Sequence, residues 1–206
     1  MNRSYDAWEM GRTVVLSISP REESRERGIK QPGRASGDGL RGRFARKSSR
    51  DRKVGRRKVG IDITWVTDRI AVGGGIWNAE NMAVVARAGI THVIDMQIEF
   101  DDTPLARPHG IAVCWNPVDD DFEPKPAGIF MRGVEFALDA LEKDGTKVYV
   151  HCAAGVHRAP MMTLALLGVM GWTVEDGISL IEGRRPGADF ADVYVRSVEE
   201  FLNGRG

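Results

Sequence analysis

The chain has 206 residues, with 29 Lys+Arg balanced by 29 Asp+Glu and only two cysteines, Cys114 and Cys152. That length suits one domain of common size plus a tail. Two cysteines exclude a disulfide framework and fit a reducing, cytoplasmic compartment in which a free thiolate survives.

The zero net charge hides an asymmetry. Residues 1–60 hold 17 Lys+Arg and 7 Asp+Glu, whereas residues 61–206 hold 12 and 22. Residues 1–58 therefore read as a basic tail. Gly, Ser and Arg crowd its second half without apolar periodicity, so it cannot bury enough surface to offset its ordering entropy and is expected to be disordered. Its one apolar patch, Arg12 to Ile18, is too short to span a membrane. Asp6 and Glu9 before the patch argue against a secretory leader. The run Arg41 to Lys58 is the only stretch that could meet nucleic acid or an anionic surface, and a solvated extension is the preferred reading of it.

The domain is expected over residues 59–206. Ile61–Val66 and Arg69–Gly73 read as two short strands around a turn at Thr67-Asp68. Asn78 caps a helix from Ala79 to Ala88, and Gly89 stops it. Thr91–Met96 is a strand; His92 is read as a strand residue near the core rather than a ligand. Polar residues 97–110 read as a loop, and Ile111–Trp115 as the next strand. Cys114 is read as a packed core thiol, with a reversible disulfide to Cys152 as the minority alternative. Asn116 to Pro126 is a Pro-bounded acidic loop holding Asp119, Asp120 and Asp121. Such a loop is either a solvated turn or a source of a general acid, and repulsion among its carboxylates would raise the pKa of at least one.

An amphipathic helix follows from Ala127 to Lys143, with Phe130, Val134, Leu138 and Leu141 at helical spacing. Lys147–Val150 is a short strand rich in β-branched and aromatic residues. An apolar run from Met161 to Met170 favours helix. Thr173 caps a further helix, Val174 to Glu182. Arg184-Arg185-Pro186-Gly187 breaks the chain, its arginines either solvated or steering an anion. A last helix runs from Ala191 to Leu202, with Val195, Val198 and Leu202 on one face. Strands alternating with helices predict an α/β domain whose central sheet is mostly parallel and flanked by helices.

Between the Lys147–Val150 strand and the Met161–Met170 helix lies His151-Cys152-Ala153-Ala154-Gly155-Val156-His157-Arg158. A loop joining a strand to a helix N-terminus points its N–H groups into an anion-binding cradle. Gly155 permits the tight torsions this needs. Arg158 supplies a planar fork for two phosphate oxygens. A thiol on the floor of such a cradle is expected to ionise at a pKa of roughly 3.5–7.5. Cys152 is thus a candidate nucleophile toward phosphorus.

This octapeptide resembles the signature loop of the cysteine-dependent protein tyrosine phosphatases, in particular the dual-specificity branch. The resemblance extends over roughly residues 61–203 and includes Gly89-Ile90-Thr91-His92-Val93-Ile94. It implies a phosphotyrosine-phosphatase-like fold. It further implies that Cys152 carries a phosphocysteine intermediate, that Arg158 clamps the phosphoryl oxygens, and that Ala153, Ala154, Gly155, Val156, His157 and Arg158 bind the phosphate. The family's general acid follows a proline by three residues and precedes the cysteine by about thirty. Pro117-Val118-Asp119-Asp120 fits, with Asp120 32 residues before Cys152, while Asp119 and Asp121 remain rivals. No metal or cofactor is implied. The expected substrate is a singly phosphorylated protein or small phosphoester, because His157 is the loop's one cation besides Arg158. Ala159 departs from the family, which has Ser or Thr there to help the thiolate leave. That departure raises an alternative, a phosphate-binding module with weak turnover.

Overall fold

The strands that the pattern predicts are short, and hydrogen bonds from neighbours carry them rather than length. A computed structural model describes residues 60–205; the basic tail lies outside the described residues. β1 (Ile63–Trp65) and β2 (Ile70–Gly73) form an antiparallel hairpin with Ile63 opposite Gly73. The Thr67 hydroxyl closes its turn by accepting from the N–H groups of Arg69 and Ile70, at 3.2 and 3.0 Å. α1 (Ala79–Arg87) starts where the Asn78 side chain accepts from the Asn81 N–H at 2.8 Å, and Gly89, at φ +79°, turns the chain out of it. β3 (His92–Asp95), β4 (Ala112–Trp115) and β5 (Val148–His151) complete a sheet of order β1-β2-β5-β3-β4, in which every pairing but the first is parallel.

Helices cover both faces. Side chains alternate along each strand, so Val148 and Val150 join the core under the later helices while Tyr149 joins the core under α1. One face carries α1 and α2 (Thr103–Ala106). The other carries α3 (Ala127–Leu141), α4 (Arg158–Val169), α5 (Val174–Arg184) and α6 (Asp192–Asn203). α4 is buried all round through Leu167, which is why its sequence is apolar without a polar stripe.

Three expectations need correction. Residues 97–110 are not all loop: Thr103–Ala106 forms α2 and Arg107–His109 a turn of 3-10 helix, with Pro104 and Pro108 in first turns, where their missing N–H costs nothing. α4 begins at Arg158, three residues earlier than its apolar run. On α6 the buried stripe is Tyr194, Ser197, Val198 and Phe201, with Val195 and Leu202 on its flank, because Phe201 packs on Phe130 of α3 with ring centroids 5.3 Å apart.

A polar layer lies inside this frame, at the carboxyl end of the parallel strands. His151 Nε2 sits 2.9 Å from Asp102 Oδ2 and 3.7 Å from Asp95 Oδ1, and none of these side chains is exposed. Asp95 also accepts from the N–H groups of Gln97 (2.9 Å) and Asp102 (3.2 Å). Burial nevertheless pushes the Asp95 carboxyl up to about 6, against the opposing pull of His151 and the Gln97 N–H. The folded carboxyl thus keeps its proton to a higher pH than the unfolded one, whose pKa is near 3.8. Its contribution to stability must then fall as pH rises from about 4 to about 6, and level off above that. Asp62, Glu99 and Asp121, whose pKa values are lowered, act in the opposite direction. The difference between wild type and Asp95→Asn cancels their contribution. In urea unfolding that difference should shift by up to about 3 kcal/mol across the window, the wild type losing ground as pH rises. A difference independent of pH would show that Asp95 is ionised in the fold throughout.

Candidate active site

Cys152 follows β5, the middle strand of the sheet, and therefore emerges at the carboxyl end where open α/β sheets bind ligands. Its side chain is buried, and the Gly155 N–H donates to Sγ at 3.2 Å. The loop reverses through Gly155 at φ +68°. A Cβ there would fall inside contact distance of the Gly73 carbonyl and the Arg185 guanidinium, so glycine is required on two grounds.

Arg185 supplies the reason for the loop's shape. Its Nε donates to the Gly155 carbonyl at 2.8 Å and its Nη2 to the Ala154 carbonyl at 3.3 Å. Asp62 neutralises it from the segment before β1, with Nη1 to Oδ1 at 2.9 Å and a second, shorter contact from Nη2 to Oδ2. Arg185 is 8 % exposed, so it neither steers an anion nor ends a helix in solvent. It holds two loop carbonyls from behind, while the N–H of Gly155 turns to the cysteine sulfur. Gly75 adds a further tie, its N–H donating to the Ala153 carbonyl at 3.1 Å.

Arg158, the first residue of α4, is buried and held from three sides. Nη1 and Nη2 donate to the two carboxylate oxygens of Glu99 at 3.0 and 2.8 Å, a bidentate pair. Nη1 also donates to the Val118 carbonyl at 3.1 Å and the Met96 carbonyl at 3.4 Å. Nε has no hydrogen-bond partner and lies 3.7 Å from Asp120 Oδ2. Burial opposes the guanidinium's charge, yet Glu99, Cys152 and Asp120 outweigh it and hold its pKa above the ordinary value.

The three aspartates of the acidic loop separate clearly. Asp119 faces solvent and accepts from the Asp120 N–H at 2.8 Å. Asp121 is tied to Lys125, whose ammonium holds the Asp121 carboxyl below the usual range, contrary to any mutual repulsion at that position. Asp120 alone turns to the cysteine loop. Its Oδ2 is 3.1 Å from His157 Nδ1, and its Oδ1 accepts from the Tyr194 hydroxyl at 3.0 Å. Burial and the Asp120 carboxylate push the Tyr194 phenol up to about 12, so it stays a donor.

The remaining loop residues flank this centre: Ala153 half-buried, Ala154 exposed, Val156 and His157 partly covered. Ala159 is fully buried below Arg158, with its carbonyl accepting from the Thr163 hydroxyl at 2.8 Å. Cys114 cannot reach Cys152. It pairs with Ile94, which pairs with Val150, so two strand spacings, about 9–10 Å, intervene. A disulfide needs Cα atoms within about 7 Å. Burial raises the Cys114 thiol above its ordinary pKa, as for a packed core residue.

Among the described residues one group could offer three ligand atoms to a cation: Asp95, Asp102 and His151, within 4.8 Å of one another. It lies in the polar layer, closed from solvent. Glu99, Asp62 and Tyr194 have no local sequence signal of function, and the sequence offers Arg185 only as a solvated or anion-steering residue. They come from four separate segments that only tertiary contact brings to the loop.

Residues 75–203, more than half of the chain, match the family described as "Dual specificity phosphatase, catalytic domain". The protein-tyrosine-phosphatase IBR5 of Arabidopsis thaliana is 34 % identical over 68 residues, 32 % of this chain and 26 % of that protein. Human protein tyrosine phosphatase type IVA 3 is 34 % identical over 102 residues, 48 % of this chain and 58 % of its own. The chain thus spans about a quarter to three-fifths of the length of these curated relatives. Of solved structures, DUSP15 aligns with a TM-score of 0.60 and 26 % identity, over 69 % of this chain and 88 % of that one. PTPMT1, solved in complex with PI(5)P, shares the fold with a TM-score of 0.62 at 21 % identity, over 69 % and 95 %. No helix among the described residues is long and apolar enough to cross a membrane. With a family match over more than half of its length and solved phosphatases sharing its fold, the chain belongs to the dual specificity phosphatase catalytic-domain family.

Proposed function

We propose that this chain hydrolyses phosphomonoesters through a phosphocysteine intermediate. The observation that carries the reading is the convergence on one loop: the Cys152 sulfur under a backbone N–H, the Arg158 fork oriented by Glu99, and Asp120 3.7 Å from that guanidinium. In the first half-reaction a bond forms between Cys152 Sγ and phosphorus while the bond to the leaving oxygen breaks, and Asp120 gives that oxygen its proton. In the second, water attacks phosphorus, the S–P bond breaks, and Asp120 takes the proton from water. Arg158 Nε, a buried donor without a protein partner, serves the phosphoryl oxygens together with backbone N–H groups of the cysteine loop such as that of Gly155.

The substrate we favour is a phosphotyrosine, phosphoserine or phosphothreonine side chain of a protein, with a small non-protein phosphoester as the alternative. Glu99, Asp120 and Asp189 stand beside the Arg158 guanidinium and the His157 imidazole, which favours one phosphate over several. A second reading, a phosphate-binding module with weak turnover, is favoured by Ala159 alone.

Three experiments test these proposals. Metal-free protein should hydrolyse 4-nitrophenyl phosphate, and Cys152→Ser should abolish the activity. A fully active variant, or activity lost to a chelator, would sink the cysteine route. For Ala159, the missing hydroxyl should slow breakdown of phosphocysteine more than its formation, giving a burst in rapid-quench kinetics. A hydrogen bond to a charged group is worth about 1.5–3 kcal/mol, so Ala159→Ser should speed the steady state by roughly ten- to a hundred-fold and shrink the burst. Absence of a burst, with an unchanged rate in the variant, would place the slow step earlier. Finally, residues 59–206 are proposed to suffice for folding and for hydrolysis of this small substrate. Loss of cooperative unfolding on removing residues 1–58 would contradict this.

A further inference from the structure

His157 has a carboxylate at each ring nitrogen: Asp120 Oδ2 3.1 Å from Nδ1 and Asp189 Oδ2 3.2 Å from Nε2. Asp189 lies in the link between α5 and α6, and its N–H donates to the Val156 carbonyl at 2.9 Å, so the cysteine loop itself sets its place. Its side chain is 65 % exposed, against 20 % for His157 and 30 % for Asp120, so Asp189 is the solvent end of the chain of contacts. Phe122 holds the imidazole from the side, its ring edge-on with centroids 5.0 Å apart. Phe122 is itself at φ +59°, a conformation costly for a bulky residue, and it stacks on Tyr194 with 5.7 Å between centroids. The charged and titratable groups around the imidazole are thus Asp120 from the acidic loop and Asp189. Arg158 and Tyr194 stand behind Asp120.

We infer that Asp189 is a positioning residue that fixes the tautomer of His157, so that His157 can share and hold the proton that Asp120 delivers to the leaving oxygen. A carboxylate only accepts hydrogen bonds, so the contact with Asp189 requires the proton on Nε2. Nδ1 is then free to accept from the Asp120 carboxylic acid, or, once protonated, to donate to the Asp120 carboxylate. Both arrangements contain the same number of protons and keep the same 3.1 Å contact. The proton that Asp120 passes to the leaving oxygen is replaced in the second half-reaction by the proton from the attacking water. A carboxylate behind a working imidazole has this same tautomer-setting role in serine hydrolases. The inference rests on the proposed role of Asp120 as general acid.

The test uses the full chain and two aryl phosphates, 4-nitrophenyl phosphate with a good leaving group and phenyl phosphate with a poor one. The kcat/KM value reports the first half-reaction, and only the poor leaving group depends strongly on a proton donor. Asp120→Asn should raise the ratio of kcat/KM, nitrophenyl over phenyl, by roughly a hundred-fold, the usual scale of general acid catalysis. Asp189→Asn, whose amide can donate to Nε2 and so favour the Nδ1–H tautomer, should raise the ratio by about ten-fold. Asp189→Glu should restore most of it. Nitrogen-15 spectra of histidine-labelled protein, with His157 assigned through His157→Gln, should show Nε2–H in wild type and a shift toward Nδ1–H in Asp189→Asn. This second readout stands whether or not the chain turns over substrate. A raised ratio in Asp120→Asn with an unchanged ratio in Asp189→Asn would overturn the inference and leave Asp120 in its role. An unchanged ratio in both would remove the general acid, and the inference with it. Equal losses on both substrates in Asp189→Asn, or a His157 tautomer that does not respond, would show Asp189 to be merely structural.

Discussion

The site depends on how the peptide groups of one short loop are oriented. A loop of six residues between a buried strand and a buried helix cannot leave its carbonyls unpaired, since each would carry the cost of a desolvated, unsatisfied acceptor. Arg185 meets that requirement by taking the carbonyls of Gly155 and Ala154, and Gly75 by taking that of Ala153. With these acceptors held from behind, the N–H of Gly155 turns to the cysteine sulfur. Gly155 can follow this path only because it lacks a Cβ, and Asp62 keeps the buried Arg185 from being an uncompensated charge.

A second guanidinium has a complementary place. Arg158 sits where the loop becomes helix, and its bidentate pair with Glu99 fixes the plane of the fork. The carbonyls of Met96 and Val118 extend that grip to the ends of β3 and the acidic loop. Both arginines are therefore anchored before any anion arrives, one behind the loop and one within it. Their counter-carboxylates bring the neighbourhood close to electrical balance, so the loop carries no broad positive field, and the proposed capture of a phosphate rests on local geometry.

Between these anchors the acidic loop is more tightly held than its composition suggests. Asp120 is reached by Tyr194 from α6, His157 from the cysteine loop and, at longer range, Arg158. Phe122 accepts an unfavourable backbone conformation in order to cover both His157 and Tyr194, and its N–H donates to the Tyr194 hydroxyl at 3.0 Å. Lys125 meanwhile holds Asp121 out of the way. Neighbouring residues of one charge thus acquire different surroundings because each faces a different element.

The sequence by itself determined what is local. Alternating strand and helix patterns placed the elements; the Asn78 and Thr173 caps and Gly89 set helix ends; and the Cys152-to-Arg158 spacing marked the cradle, because a strand–loop–helix turn of that length is built from adjacent residues. Residues 97–110 were misread as plain loop because a four-residue helix with a proline in its first turn has almost no periodicity to detect. The resemblance favoured Asp120 over its neighbours, but only the tertiary structure showed which of the three aspartates faces the cysteine loop. It alone showed that Arg185 is a buried strut, that Cys114 lies two strands away from Cys152, and that Glu99, Asp189 and Tyr194 belong to the site at all. The physical reason is separation along the chain. These partners lie 30 to 123 residues apart and meet only because β5 is inserted between β2 and β3, an arrangement that no local pattern of residues encodes.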